Sequence, residues 1–292
     1  MSTKDGFIRH DDVMIFRTVV EIPPLSFSIA PCEEMLFVGS CFADSIGRRF
    51  QEEKFRAVVN PYGVMYNPAS IMHTVNRFLN EPGRISPKVV VFTLGTNHVY
   101  VLKETGEIVD NCQKRPQKLF EEQALSVGEC CKYLAKAVGL LKDACPEVKV
   151  MVTVSPIRYA KYGFHGSAIS KATLLLAAEQ LKKEGQGVVD YFPAFEIVND
   201  ELRDYRFYQP DMIHPSQQAI EYVWERMVES CLSKEAKDFL KEWKPIKEAL
   251  AHRPFHPDSE EYKAFLGKTI DKLEHLRAKY PQMPDTEGLV HS

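Results

Sequence analysis

Met35-Leu36-Phe37-Val38-Gly39-Ser40-Cys41-Phe42-Ala43-Asp44 (MLFVGSCFAD) reads as a buried strand, a glycine turn and the start of a helix. Four consecutive apolar residues stopped by Gly39 suit a strand covered on both faces. The polar and apolar spacing from about Phe42 to Lys54 then has helical period. The same unit recurs downstream. Ala57-Val58-Val59 is followed by an Asn60-Pro61-Tyr62-Gly63 turn and a helix announced by Asn67 as N-cap with Pro68 at the first helical position. Lys88 to Leu94 (KVVVFTL) is a strand ending at Gly95, and Ser126 with Glu129 makes a capping box for a helix to about Ala144. Lys149 to Val154 is a strand ending at Ser155-Pro156, and Lys171 to Glu184 is a helix stopped by Gly185 as a left-handed C-cap. Gly187 to Phe192 is a short strand, and Gln217 to Cys231 is an amphipathic helix. Strand and helix in strict alternation predict parallel strands joined by crossover helices, an α/β protein in three layers, α/β/α, with a mainly parallel sheet. Tyr100 to Leu125 is irregular, with a short hairpin near Thr105-Gly106.

From about Leu232 the composition shifts to two charged amphipathic helices, Lys234 to Ala251 and Ser259 to Tyr280, separated by Pro254 and Pro257. The 292 residues therefore divide into an α/β domain, residues 1–231, and a C-terminal helical extension, residues 232–292. The extension is expected to be a surface cover or an arm for a homo-oligomer. A net charge of −3 lacks the basic footprint of a nucleic-acid binder. Seven cysteines with no CxxC pair suggest free thiols in a reducing compartment rather than a disulfide framework or thiolate zinc site. Met1 to Asp12 has no apolar signal core, and no apolar run approaches the roughly 18 residues of a membrane span, so a cytoplasmic location without membrane attachment is expected.

In a doubly wound sheet, ligands bind beyond the carboxyl ends of the strands. Four segments fall there. Ser40 and Cys41 stand at the first strand-to-helix turn, where free N–H groups and the positive helix end favour a thiolate or a developing oxyanion. Ser40 as a cap above a packed Cys41 is the structural alternative. Asn60 to Gly63 and Gly95-Thr96-Asn97-His98 follow the second and third strands and supply amide and backbone donors, or ordinary turns. Asp211-Met212-Ile213-His214-Pro215-Ser216 precedes the Gln217 helix. Pro215 keeps His214 out of the α region, and Asp211 is spaced to orient its ring. Arg158, Tyr159, His165, Tyr205, Arg206 and Tyr208 are loop candidates to line a pocket. His73, His98, His165 and His214 have no metal-ligand spacing, and no phosphate-binding glycine loop follows a strand.

The order of these blocks resembles that of the GDSL/SGNH hydrolase superfamily. GSCFA at residues 39–43 resembles the signature of the GSCFA family, an SGNH-like group of bacterial proteins. So do VNPYGVMYNP (59–68), KRPQKLF (114–120), TVSPIR (153–158), SKATLLLA (170–177) and ELRDYRFYQPDMIHPS (201–216), a likeness extending from about Phe16 to Tyr280. The resemblance implies a flavodoxin-like, SGNH-type sheet and an esterase or acyltransferase with a Ser/Cys-His-Asp arrangement and no cofactor. His214 would be the base and Asp211 its orienter, with Gly63 and Asn97 in the oxyanion blocks, Asn60 beside Gly63, and His98 where Asp usually follows Asn. The position of the superfamily's nucleophilic Ser holds Cys41, while Ser40 takes that role if the turn is shifted by one residue. The substrate implied is a small-molecule ester or thioester, including an acylated carbohydrate. A ligand-binding or scaffolding module on the same fold, using the Tyr100 to Leu125 segment and the helical tail as partner surface, is the alternative function.

Overall fold

A computed structural model describes residues 17–285. Its elements follow in the order β1 (Glu34–Gly39), α1 (Cys41–Glu52), β2 (Arg56–Val59), α2 (Pro68–Leu79), β3 (Val89–Leu94), β4 (His98–Leu102), β5 (Glu107–Val109), β6 (Phe120–Ala124) and α3 (Val127–Ala144). They continue with β7 (Lys149–Val154), α4 (Gly163–Glu184), β8 (Val189–Tyr191), α5 (Ala194–Glu196), α6 (Gln217–Cys231), α7 (Lys234–Ala251) and α8 (Glu260–Lys279). The central sheet is wholly parallel, ordered β2-β1-β3-β7-β8. Its order reverses between β1 and β3, which opens a crevice at their carboxyl ends.

Alternation along each strand divides the core. Leu36, Val38, Val90, Phe92, Val150 and Val152 face α2, α3 and α4. Met35, Phe37, Val89, Val91 and Met151 face α1 and α6. This is the three-layer α/β/α sandwich with a C-terminal helical extension expected from the sequence. Apolar residues on both sides of each strand explain the uninterrupted runs.

Three local features differ from expectation. The irregular Tyr100 to Leu125 segment carries a second, antiparallel sheet, β5-β4-β6, whose β4–β5 hairpin turns at the Thr105-Gly106 site. Helix α4 begins at Gly163 rather than Lys171. It ends at Gly185, but with φ −95°, so the C-cap there is not left-handed; Gly187, with φ 75°, takes that conformation two residues later. A short π-helical turn, Ile197–Leu202, extends α5.

The extension helices α7 and α8 build a further core from Phe239, Trp243, Ile246, Leu250, Leu273 and Leu276. They dock where α1 ends: Trp243 Nε1 donates to the Glu52 carbonyl at 3.3 Å and Lys247 Nζ donates to Glu53 Oε1 at 2.9 Å. Among the described residues no helix is long and apolar enough to cross a membrane.

Among the described glycines, the tightest site is at the β1–β3 exit. Gly39 has φ +148°, and a Cβ added there would lie 2.2 Å from the Thr93 carbonyl oxygen. Gly39→Ala should therefore lower unfolding free energy by roughly 2–5 kcal/mol through strain and backbone overlap. Urea denaturation tests this, and an unchanged midpoint would contradict the constraint.

Candidate active site

The turn from β1 into α1 gives its two nucleophile-type residues different surroundings. Ser40 is extended (φ −66°, ψ 175°) and is the N-cap of α1. Its N–H donates to Thr93 O at 3.0 Å and its Oγ lies 3.1 Å from Thr93 Oγ1 while accepting from Phe42 N–H at 3.3 Å. With 1% exposure, the hydroxyl is enclosed and engaged. Cys41 is the first helical residue and is half-buried. Its Sγ lies 3.5 Å from the Tyr66 hydroxyl. The Ser40, Phe42 and Ala43 N–H groups are all bonded, whereas the Cys41 N–H has no acceptor among the described residues. A free N–H at the positive helix end is suited to receive negative charge.

The second and third blocks brace this turn. Asn60 Oδ1 accepts from Gly39 N–H at 2.9 Å and its Nδ2 donates to Asp44 Oδ1 at 2.7 Å, so one side chain ties together the ends of β1, α1 and β2. Gly63 N–H is taken by the Asn60 carbonyl at 2.9 Å. Asn97 is buried with Nδ2 donating to Leu125 O at 2.7 Å, while its Oδ1 lacks a partner. His98 stacks on Tyr162 at 3.9 Å, and burial lowers its pKa. Gly95 matters for another reason. Its N–H and that of Thr96 both donate to the Tyr66 carbonyl, and a Cβ on Gly95 would approach that oxygen to 3.0 Å.

Asp211 and His214 meet as their spacing suggests. Asp211 Oδ2 lies 2.6 Å from His214 Nδ1, and Oδ1 accepts from the N–H groups of Ile213 and His214. These bonds hold the Asp211 carboxyl down to about 2, so it stays ionised as an acceptor facing His214 Nδ1. The His214 loop is tied to the loop after β7: Arg158 N–H donates to Ile213 O and Arg158 Nη1 donates to Met212 O. Tyr159, next along, lies 6.1 Å from the Tyr66 ring, and Tyr66 touches Cys41. A chain of four contacts thus joins the β1–α1 turn to the Asp–His loop. Arg158 also lies over the rings of Phe164 and Tyr208. Tyr205, Arg206 and His165 are exposed, and Arg206 pairs with Asp204.

Among the described residues no group of three or more His, Cys, Asp or Glu side chains converges as a metal site. A hollow of about 900 Å³ lies on the small sheet among His73, Lys103, Glu107 and Glu121, and Ser40, Cys41, Asp211 and His214 do not line it.

Sequence reasoning missed Tyr66, Thr93, Ser170 and Lys171. Lys171 is buried under the ends of β3 and β7, where Nζ donates to Gly95 O at 2.7 Å and Ser155 O at 2.8 Å. Ser170 Oγ accepts from Asn97 N–H at 3.1 Å. A signal existed: Lys171, Leu174, Ala178 and Leu181 share one buried helical face. Burial pulls the Lys171 ammonium from 10.5 to about 7. Between those values the unfolded chain binds more protons than the folded one, so stability should rise with pH across that window. Thermal melts from pH 7 to 10 should show this rise in the wild type and a flatter profile in Lys171→Met; parallel profiles would exclude the assignment.

The GSCFA family model matches residues 34–86 and 85–227, and the model of the GSCFA domain protein C-terminal domain matches residues 243–287. No curated protein matches the chain. Similar solved structures include a GDSL-like lipase from Parabacteroides merdae, 12% identical over 70% of this chain and 98% of that one, with a TM-score of 0.47. Others are the acetylxylan esterase Axe2 from Geobacillus stearothermophilus (13% identical, 70% and 96% covered, TM-score 0.45) and a carbohydrate esterase family 3 protein from Talaromyces cellulolyticus (11%, 73% and 99%, 0.40). With its signature at the β1–α1 turn and both family models aligned along it, the chain belongs to the GSCFA family.

Proposed function

We propose that the protein is an acyl-transfer enzyme, a hydrolase or acyltransferase of esters or thioesters, with Cys41 as nucleophile, His214 as base and Asp211 as the group that orients it. The observation that carries this reading is the contrast at the turn. Ser40 Oγ is enclosed in a cap and bonded to Thr93, while the half-buried Cys41 thiol touches the Tyr66 hydroxyl, and Tyr66 leads through Tyr159 and its neighbour Arg158 to the Asp211–His214 loop.

In the first half-reaction His214 Nε2 takes the thiol proton and Sγ attacks the acyl carbonyl carbon. An S–C bond forms as the carbonyl π pair moves onto oxygen. Collapse restores the C=O, breaks the bond to the leaving alcohol or thiol, and returns the His214 proton to that group, leaving a thioester on Cys41. Water or an acceptor hydroxyl then attacks the thioester, giving up its proton to His214, which passes it to the departing sulfur. The half-exposed site and its aromatic rim suit a small acyl ester or an acylated carbohydrate.

The other thiols provide an internal control. Burial pushes Cys32, Cys130 and Cys231 up to about 12, and Cys131 up to about 11. Iodoacetamide at pH 7 should therefore modify Cys41 ahead of those four, as read by peptide mass spectrometry. Equal, slow labelling of all of them would count against a thiol nucleophile.

Activity supplies the decisive comparison. On short-chain p-nitrophenyl esters and thioesters, Cys41→Ala should abolish turnover and His214→Ala should reduce it by about 10²–10⁴-fold. Ser40→Ala should keep a measurable rate, and intact mass should show an acyl adduct on Cys41 in the wild type. Turnover that survives Cys41→Ala but not Ser40→Ala would assign the nucleophile to Ser40. Turnover indifferent to all three variants would favour a binding module.

A further inference from the structure

The sequence blocks assign oxyanion stabilisation to Gly63 and Asn97, yet the Gly63 N–H and one of the two Asn97 Nδ2 hydrogens are engaged elsewhere. Gly63 N–H is bonded to the Asn60 carbonyl and Asn97 Nδ2 to the Leu125 carbonyl, the latter in a site with 5% exposure. An oxyanion needs donors that are free before the charge develops, since reorganising a buried hydrogen bond at that moment forfeits the preorganisation on which catalysis depends.

Two donors remain beside Cys41. Its own N–H, at the first position of α1, has no acceptor among the described residues. The Tyr66 hydroxyl, 3.5 Å from Sγ, is 25 residues away in sequence and arrives from the turn before α2. An oxygen two bonds from that sulfur falls within hydrogen-bond reach of both. We propose that the Tyr66 hydroxyl and the Cys41 N–H form the oxyanion hole of this protein, with Tyr66 as a catalytic residue that touches the reacting atoms. This role rests on the acyl-transfer reading given above.

Four features of the surroundings serve that role. Partial burial and the neighbouring Cys41 raise the phenol's pKa, so it remains protonated and can donate. The Tyr66 main chain is fixed by two N–H donors, Gly95 and Thr96, which converts the third sequence block from an oxyanion donor into the support of one. The next residue, Asn67, is buried as the N-cap of α2, accepting from Ser70 N–H at 2.9 Å, so the ring projects from a rigid helix start. The Tyr159 ring, 6.1 Å away, flanks the other side. In the chemical step the carbonyl π pair moves to oxygen as the S–C bond forms, the phenol proton bridges to that oxygen without leaving Tyr66, and the pair returns when the leaving group departs.

Tyr66→Phe keeps the ring and removes the donor. Its kcat for acylation, followed as the burst of p-nitrophenol, should fall about 10²–10³-fold with KM nearly unchanged. Alkylation of Cys41 by iodoacetamide forms no oxyanion, so its rate should stay within about twofold of wild type. A matching loss in both reactions would overturn the proposal, because Tyr66 would then be acting on the sulfur rather than on the acyl oxygen. Unchanged acylation would overturn it equally. A wild-type enzyme that alkylates at Cys41 yet never acylates would remove the acyl-transfer reading, and this role with it. A melting temperature within a few degrees of wild type shows that the variant is folded.

Discussion

The close passage of β1 past the end of β3 governs the rest of the molecule. Gly39 has no side chain because the Thr93 carbonyl occupies the place of a Cβ, and Ser40 N–H bonds both the carbonyl and the hydroxyl of Thr93. These contacts fix where β1 stops and the direction in which α1 leaves. Because the strand order reverses between β1 and β3, the helix N-terminus faces an open crevice rather than another crossover. Asn60 reinforces the joint from the β2 side through Gly39 N–H and Asp44. The position of Cys41 is therefore a property of sheet geometry and does not depend on a flexible loop.

The same joint explains why adjacent residues have separate duties. A residue at an N-cap turns its side chain back toward the first helical N–H groups, while the residue after it points outward from the helix start. Ser40 is well matched to the first position, where a short hydroxyl can both cap Phe42 and bond Thr93. A cysteine is a poor cap but a good nucleophile at the positive end of a helix. A bonded capping hydroxyl and a half-buried thiol thus stand side by side.

Much of this was legible in the sequence, and the reasons are local. Runs such as VVVFTL and KVMVTV announce two-sided burial by themselves, and Ser126 with Glu129 or Asn67 with Pro68 announce helix starts within four residues. The elements that escaped depend on distant partners. Phe120–Ala124 (FEEQA) is polar and mostly exposed, and it is a strand because β4 pairs with it. The start of α4 carries Gly163 and Gly166, which weaken the helical pattern, though packing holds it in place. At the site, the segments and the Asp211–His214 pair could be found from order and spacing. The enclosure of Ser40 rests on Thr93, 53 residues away, and the engagement of Asn97 on Leu125.

The C-terminal helices act on the same helix from its other end. Twelve residues make α1 about 18 Å long, so its last turn is remote from Cys41. At that end Arg49 pairs with buried Glu53 and with Glu221 of α6, while α7 contributes Lys247 to Glu53 and Trp243 to the Glu52 carbonyl. Phe55, just beyond, meets Phe239 of α7 edge to face at 6.5 Å. An α-helix is stiff over this length, so a clamp on its carboxyl end also limits tilt and rotation at its amino end, where Cys41 stands. The extension contributes no residue to the contacts around Cys41 named above, yet through α1 it braces the turn that carries it.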